Sequence, residues 1–368
     1  MANIVYSDNT YKKALGPALI GKLDTPLKMI IEHESDACAK KMGVQKTLFN
    51  IEKSNKFGET IIGTSDFDVF QKVLEGNGAV GDNIGDTHKK FIEHIQFMKE
   101  FVITQEMLED ANYGVAADAK RRAEHFVRAY YKTMNKICST ALIHATKATL
   151  EAAADGNPFK ADLDLSVAGE GEDKTPLFSV RHVGYINKNM VQSNLFKPKT
   201  AVTTALELTM LINACTNEMR RFKDENGEPL EYTADTIILP GNRPNLEYMV
   251  KKICGSEREA GTNNNDVNVQ YGNWTIVVLP DWNADGDELM IMSSEANKNL
   301  AGNMFFNRVP LTVTPWIDNH TANHIWTGRC RFGVGFGNWK HICRVKLDVN
   351  ATDATALDVG GALAAAAE

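Results

Sequence analysis

The sequence predicts a mixed α+β fold with two lobes and outstretched parts, and three stretches carry that expectation. Asn112 to Asp155 places apolar or small side chains at Ala119, Ala123, Phe126, Val127, Tyr130, Met134, Ile137, Ala141, Ala145 and Ala148, spacings of three and four that draw one stripe along a helix. Two strand-like segments, Lys56 to Gly63 and Phe97 to Thr104, bracket a long polar stretch rich in glycine and charge. Asp235 to Ser293 alternates short apolar runs with one helical pattern, as a compact mixed sheet does.

The helical stretch is the organising element. Its other face is charged, with Lys120, Arg121, Arg128, Lys132, Lys136 and Lys147. Asp110 or Asn112 can cap its start, and Asp155-Gly156-Asn157-Pro158 is a stop, because glycine accepts a left-handed turn and proline cannot continue the ladder. At 1.5 Å per residue such a helix would be roughly 60 Å long, against about 55 Å for a compact globule of this chain length. A flat, elongated subunit follows.

In chain order, residues 1–50 open with Gly16-Pro17 and Thr25-Pro26 loops and a short helical patch from Leu27 to Lys41. This is too thin to fold alone and reads as an arm that must lie on something else. The bracketed stretch after it includes Glu75 to Asp86; loops beyond ~12–15 residues inside a compact domain are usually functional, and a two-stranded extension is marginal alone in water. A projecting hairpin ordered by a neighbouring subunit is the simplest resolution. After the long helix come an acidic loop from Gly156 to Pro176, a strand within Leu177 to Tyr185, and an amphipathic helix from Thr200 to Lys223 with Ala201, Leu208, Leu211, Cys215, Met219 and Phe222 on one side. Asp235 to Pro240 and Trp274 to Pro280 read as buried strands, Asn242-Arg243-Pro244 opens a helix through Ile253, and Glu288 to Ser293 is a third strand. The closing strands, His324 to Phe336 and Trp339 to Val349, return beside the long helix. Beyond Ala351 the Ala-rich tail is expected to be mobile.

Composition bounds the function. With 368 residues, 43% hydrophobic and 24% charged, the chain can bury a sizeable core. No run approaches the ~18 apolar residues of a membrane helix, and Met1 to Asp8 lacks a signal-peptide pattern, so no membrane partner and cytosolic synthesis are expected. A net charge of −7 argues against tight, general DNA binding, which rests on lysines and arginines displacing counterions. A protein that encloses nucleic acid needs no such affinity. Cys38, Cys138, Cys215, Cys254, Cys330 and Cys343 form no C-x-x-C pair and read as reduced core residues.

None of the local motifs assembles chemistry. Gly76-Asn77-Gly78-Ala79-Val80-Gly81 fits G-x-G-x-x-G, but a dinucleotide site needs a strand before it and a helix after, and polar loop sequence surrounds it. Asp281 to Asp287 resembles the opening of a calcium loop, yet its twelfth position is Met292 where a bidentate Glu belongs, so a solvated turn is the reading. His320 and His324 lie four apart, but Pro315 and nearby Thr, Asn and Trp favour a loop or strand and no third ligand is close. His88 and His94 are read the same way. No catalytic, cofactor-binding or metal site is expected, and no cofactor.

The order of a polar arm, a long hairpin, a spanning helix, a compact lobe and returning strands resembles the major capsid proteins of tailed bacteriophages, the Hong Kong 97-like fold family. Gln96 to Ala111, with Thr104-Gln105-Glu106-Met107-Leu108-Glu109-Asp110, looks like that family's strand and Ser/Thr-x-E-[LM]-L-E-D segment before its spine helix. Asp235 to Ile253 and Thr327 to Val345, including Arg329-Cys330-Arg331-Phe332-Gly333-Val334, are similar to its apical lobe and closing strands. The resemblance implies an N-terminal arm at 1–50, an extended hairpin loop at 51–103, a peripheral domain with the spine helix at 104–200, an apical domain at 201–305, closing strands at 306–350 and a flexible tail at 351–368. It implies a non-enzymatic subunit that self-assembles into hexamers and pentamers of an icosahedral phage head around double-stranded DNA, contacted weakly and without sequence specificity. Scaffolding, portal and decoration proteins would be its partners, the virion capsid its location, and the host bacterial cytoplasm its place of assembly. The arm is too short for the scaffolding segment many members carry. Lys72, Lys89 and Lys90 are available in the hairpin, but nothing identifies a crosslinking acid or acceptor. An encapsulin-type nanocompartment shell shares these features, and a soluble two-lobed enzyme is the alternative of another class.

Overall fold

The structure, a computed structural model, describes residues 29–40, 44–65, 67, 69–70, 72–73, 81, 85–104, 106–107, 115–154, 157–167, 174–255, 257–258 and 267–358. Most of the expected arm, Gly76 to Val80 of the glycine run, the candidate caps Asp110 and Asn112, the Asp155-Gly156 stop and the end of the tail lie outside the described residues. The elements are α1 (29–40), α2 (Val44–Leu48), β1 (Asn50–Lys53), β2 (Gly58–Thr64), β3 (Asp86–Glu93), β4 (Ile95–Ile103), α3 (Val115–Ile143), β5 (Thr149–Leu150), β6 (Leu163–Asp164), β7 (His182–Val183), β8 (Val191–Gln192) and β9 (Leu195–Pro198). They continue as α4 (Ala205–Arg220), β10 (Thr236–Pro240), α5 (Pro244–Cys254), β11 (Thr275–Leu279), β12 (Glu288–Met292), α6 (Ser294–Asn299), β13 (Asn303–Ile317), β14 (His324–Phe336), β15 (Ile342–Lys346) and β16 (Thr355–Leu357). The fold is α+β, as expected.

The spine helix α3 lies on a four-stranded sheet ordered β1-β13-β14-β4. Phe126 of the helix packs so closely on Gly328 of β14 that a Cβ there would fall 2.3 Å from the ring, and Phe101 of β4 stacks on Trp326 with centroids 5.2 Å apart. α1 packs against the same helix. Ile31 joins Ala119, Ala123 and Val127 in one apolar cluster, Ser35 Oγ meets Tyr131 Oη at 2.8 Å, and Arg128 donates to Glu34 at 2.7 Å. The described end of the arm therefore rests on its own spine.

The helix is shorter than its apolar stripe. It stops at Ile143, so its 29 residues span about 43 Å, and the expectation of a helix through Asp155 is corrected. Three tertiary bonds take the chain out of the helix. Arg344 Nη1 donates to the Ile143 carbonyl, the Phe178 amide to Ala145, and the Leu165 amide to Ala148. Ala145 stays buried because it packs in the core from a turn, which preserved the stripe without the helix.

The second sheet has six strands in the order β11-β10-β12-β15-β9-β16. β10 and β12 are buried along their whole length, since α4 and other elements cover both faces. β11 is an edge strand with a partly exposed face, where a buried strand was expected. Thr204 and Glu207 close α4 with a reciprocal capping box, and Pro244 begins α5. One continuous core runs through both sheets, from Ile137 and Leu142 of α3 to Leu211 and Cys215 of α4 and Cys343 of β15.

The closing strands divide between the two sheets. β13, a 15-residue strand that carries Pro310 and Pro315, forms a long hairpin with β14. Its other neighbour, β1, pairs only with Met304 to Asn307, so the prolines sit on an edge where no ladder bond is lost. β14 returns beside α3 as expected, but β15 pairs with β12 and β9 in the six-stranded sheet. Among the described residues no helix is long and apolar enough to cross a membrane.

Candidate assembly interface

A hairpin is present in the expected region, but its return strand is not Phe97 to Thr104. β2 pairs antiparallel with β3, from Gly58 opposite Glu93 to Thr64 opposite Asp86, while β4 belongs to the four-stranded sheet. The polar sequence Asp-Thr-His-Lys-Lys hid β3, whose burial alternates all the same.

The hairpin has two unlike faces. On the inner face Ile92 lies over Gly333 and Gly335 of β14; a Cβ on Gly335 would fall 2.6 Å from Ile92 Cδ1. Ile61, Ile92, Ala301, Met304 and Phe306 form a small cluster there. Lys90, only 6% exposed, reaches Asp164 Oδ1 at 2.8 Å and Ser166 Oγ at 2.7 Å. Burial lowers the Lys90 pKa against the pull of Asp164, and Lys90 and Ser166 hold the Asp164 carboxyl below its ordinary value in spite of its own burial. The expectation of a hairpin that rests on a neighbouring subunit is thus corrected for this face, which is seated on its own chain. The outer face is different. Phe57 and Phe91 stack in the open with centroids 6.5 Å apart, Arg331 lies 5.2 Å from the Phe57 centroid, and Ile62 is exposed; beyond the paired strands Phe67, Val69 and Phe70 are exposed too.

Beside the hairpin seat is a groove of about 150 Å³, lined on one side by Ile61, Gly63 and His88 and on the other by Glu225, Ala301 and Lys340. His88 presses against Gly63, where a Cβ would fall 2.5 Å from its ring, and its Nδ1 lies 3.2 Å from Thr87 Oγ1. Glu225 holds the opposite wall. It pairs with the buried Lys340 at 3.4 Å and accepts from the Tyr185 amide at 2.7 Å, which fastens the β7–β8 ribbon to the body. His182 of that ribbon stacks on Trp339 at 4.1 Å and bonds Asn194; burial pushes its pKa down to about 4.

Arg344 and Glu288 form the joint between spine and six-stranded sheet. Arg344 gives Nε to Oε2 at 3.0 Å and Nη2 to Oε1 at 2.9 Å, and its guanidinium lies 5.1 Å from the Trp282 ring centroid.

The remaining candidates are dispersed. In the Asp281–Asp287 turn the Ala284 and Asp285 carbonyls accept from Arg243, whose cation stands near where a metal would be needed, and Asn242 brackets Ala284 from both sides. His320 lies in an exposed turn capped by Asp318, whereas His324 is a buried first residue of β14. Among the described residues no cluster of three or more His, Cys, Asp or Glu could hold a metal. No cysteine is in a disulfide, and burial raises the thiols of Cys254 and Cys330 to about 11. Lys89 and Lys72 are exposed, and Lys90 is not available. The sequence reading missed Glu225, Lys340 and the Ile92 seat. Phe332-Gly333-Val334-Gly335-Phe336, with glycine at alternate positions on one strand face, is the signal that something packs close against that face.

No family model matches the chain, and no curated protein matches it. Its backbone is similar to the capsid structure of the cyanophage P-SCSP1u, with a TM-score of 0.50, 10% identity, and 82% of this chain and 86% of that one covered. This is the Hong Kong 97-like capsid fold of tailed phages. Mycobacterium phage Patience (TM-score 0.47, 13% identity, 88% and 86% covered) and a virus-like particle from Pyrococcus furiosus (0.44, 10%, 88% and 98%) are also similar.

Proposed function

We propose that this chain is a structural, non-enzymatic major capsid subunit that assembles with copies of itself into the icosahedral head of a tailed phage. The observation that carries the reading is the hairpin together with the segment beyond β2, a capsid-fold extension that leaves Phe57 and Phe91 on its outer face, and Phe67 and Phe70 after the strand, in solvent. Large exposed apolar patches are uncommon on monomers and mark surfaces that bind other proteins. Hexamers and pentamers would close the shell, with the arm, hairpin, peripheral and apical lobes and tail disposed as in the sequence reading. Scaffolding, portal and decoration proteins are partners of such a head, and double-stranded DNA would be enclosed without tight binding, in keeping with the charge of −7. Such a head is assembled in the cytoplasm of a host bacterium.

Light scattering and negative-stain microscopy of purified protein test this. Closed shells or capsomers are expected; a monomer at high concentration, in the presence of excluded-volume agents, would reject the proposal. Particles holding protein cargo and no nucleic acid would instead identify a nanocompartment.

A further inference from the structure

The spine helix has a second face. Ala119, Ala123, Val127, Met134, Ile137 and Ala141 form its buried line. At 3.6 residues per turn, Arg121, Arg128, Lys132 and Lys136 fall on the opposite side, a cationic ridge about 22 Å long. Lys132 is exposed and Lys136 half-buried. β4 widens the ridge. Alternation along the strand puts Lys99 on the face where Phe101 meets Phe126 of the helix, and Lys99, itself exposed, borders Ala129 and Thr133 along a shallow groove of about 130 Å³.

The charges along this ridge are balanced at one end only. Asp118 takes Arg121 at 2.7 Å and Arg122 at 2.6 Å, Glu34 of α1 takes Arg128 at 2.7 Å, and Glu124 is shared by Lys120 at 3.9 Å and Arg128 at 4.0 Å. Lys99, Lys132 and Lys136 differ. Among the described residues none of the three has a carboxylate within ion-pair distance, a local excess of positive charge on a chain whose net charge is −7. Like charges on a helix face are ordinarily just solvated, so the excess alone names no ligand. The second observation is what the ridge lacks. Among the described residues no exposed large apolar side chain lies on α3, whereas a protein-docking surface sets an apolar core inside its polar rim. Cations from two elements with no apolar companion on the helix suit a ligand that presents charge alone, repeated along a line. The phosphate backbone of a duplex is such a ligand.

We propose that Lys99, Lys132 and Lys136 form a contact surface for the phosphate backbone of double-stranded DNA, without sequence preference. A duplex carries one charge per about 1.7 Å of axis, so a ridge of this length faces roughly a dozen phosphates and neutralises about three. Binding is therefore weak and salt-dependent. The logarithm of the association constant falls against that of the salt concentration with a slope near −2.7, which is about fortyfold between 50 and 200 mM. Low affinity of this kind agrees with the acidic balance of the whole chain. That the DNA is a packaged genome rests on the shell reading above; contact through the ridge does not.

Fluorescence anisotropy of a short labelled duplex, titrated with the full chain over a series of salt concentrations, tests the ridge. Lys132→Gln with Lys136→Gln keeps good helix formers on a solvent-facing side and should flatten the slope by about 1.8. Lys99→Gln, on the strand, should flatten it by about 0.9. Lys252→Gln with Lys298→Gln removes the same charge from exposed positions on α5 and α6 and should leave the slope as it is. No binding at about 50 mM salt, an unchanged slope in the ridge variants, or an equal loss in the control pair overturns the proposal. So does tighter binding of polyglutamate than of the duplex, which marks the ridge as a seat for an acidic polypeptide. Light scattering on the same samples reads assembly separately. Shells from a chain whose ridge ignores DNA reject the ridge alone, and ridge-dependent binding by a chain that never builds shells rejects the shell reading alone.

Discussion

Arg344 lies across Glu288 with two hydrogen bonds of 3.0 and 2.9 Å, and both side chains are almost sealed from water, at 7% and 11% exposure. The same guanidinium satisfies the last carbonyl of the spine helix at Ile143. Removing it leaves a buried carboxylate and an orphaned carbonyl. Arg344→Met is expected to lower the unfolding free energy by about 3–5 kcal/mol, because a broken buried pair costs more than the pair is worth. Adding Glu288→Leu should restore a large part of that loss. Urea midpoints of the two variants measure it.

The contact of Ile92 with Gly335 is the next test. A methyl on Gly335 meets Ile92 Cδ1 at 2.6 Å, which forces the hairpin away from β14. Gly335→Ala should cost about 1–3 kcal/mol as overpacking. In the Ile92→Ala background the same change should cost much less, and a double-mutant cycle on thermal or urea unfolding reads the coupling.

The cap of α4 gives a pH signature. The amides of Thr203 and Thr204 hold the Glu207 carboxyl down to about 2. Its folded value lies below its ordinary 4.5, so its contribution is present above pH 4.5 and is lost as the pH falls toward 2. Thr204→Ala should cost about 1 kcal/mol at neutral pH through the lost cap. Glu207→Gln should flatten the acid limb of the stability profile between these values.

The exposed aromatics after β2 can be altered without touching the fold. Phe70 is wholly exposed, so Phe70→Asp should leave the circular dichroism and melting temperature of the subunit unchanged. It should raise the concentration needed for assembly about tenfold or more, given ~1.5–3 kcal/mol for burying one such side chain. An unchanged threshold would remove Phe70 from the interface.

The six-stranded sheet was legible because its strands are short, apolar and bounded by turn residues: Thr236 to Pro240 and Glu288 to Met292 fall within a residue of their expected limits. α4 was legible through its buried stripe of Leu208, Leu211, Cys215 and Met219. What escaped was decided by partners distant in sequence. The end of α3 is set by Arg344 and Phe178, β13 survives its prolines only because β1 is short, and β3 is polar because Lys90 and Thr87 find polar or close-packed seats. Glu225 and Lys340 carry no local pattern at all; only the folded chain brings them together, across 115 positions.

The pairing of β1 with β13 has a consequence for how the molecule is made. Asn50 and Met304 meet although they are 254 positions apart, and β9 waits for β15 and β16 later still. At about 5–20 residues per second, a ribosome needs roughly 13 to 50 s to travel from the first strand to its mate. Neither sheet can be completed on a nascent chain before then, so polysome-bound fragments lack the finished surfaces of both.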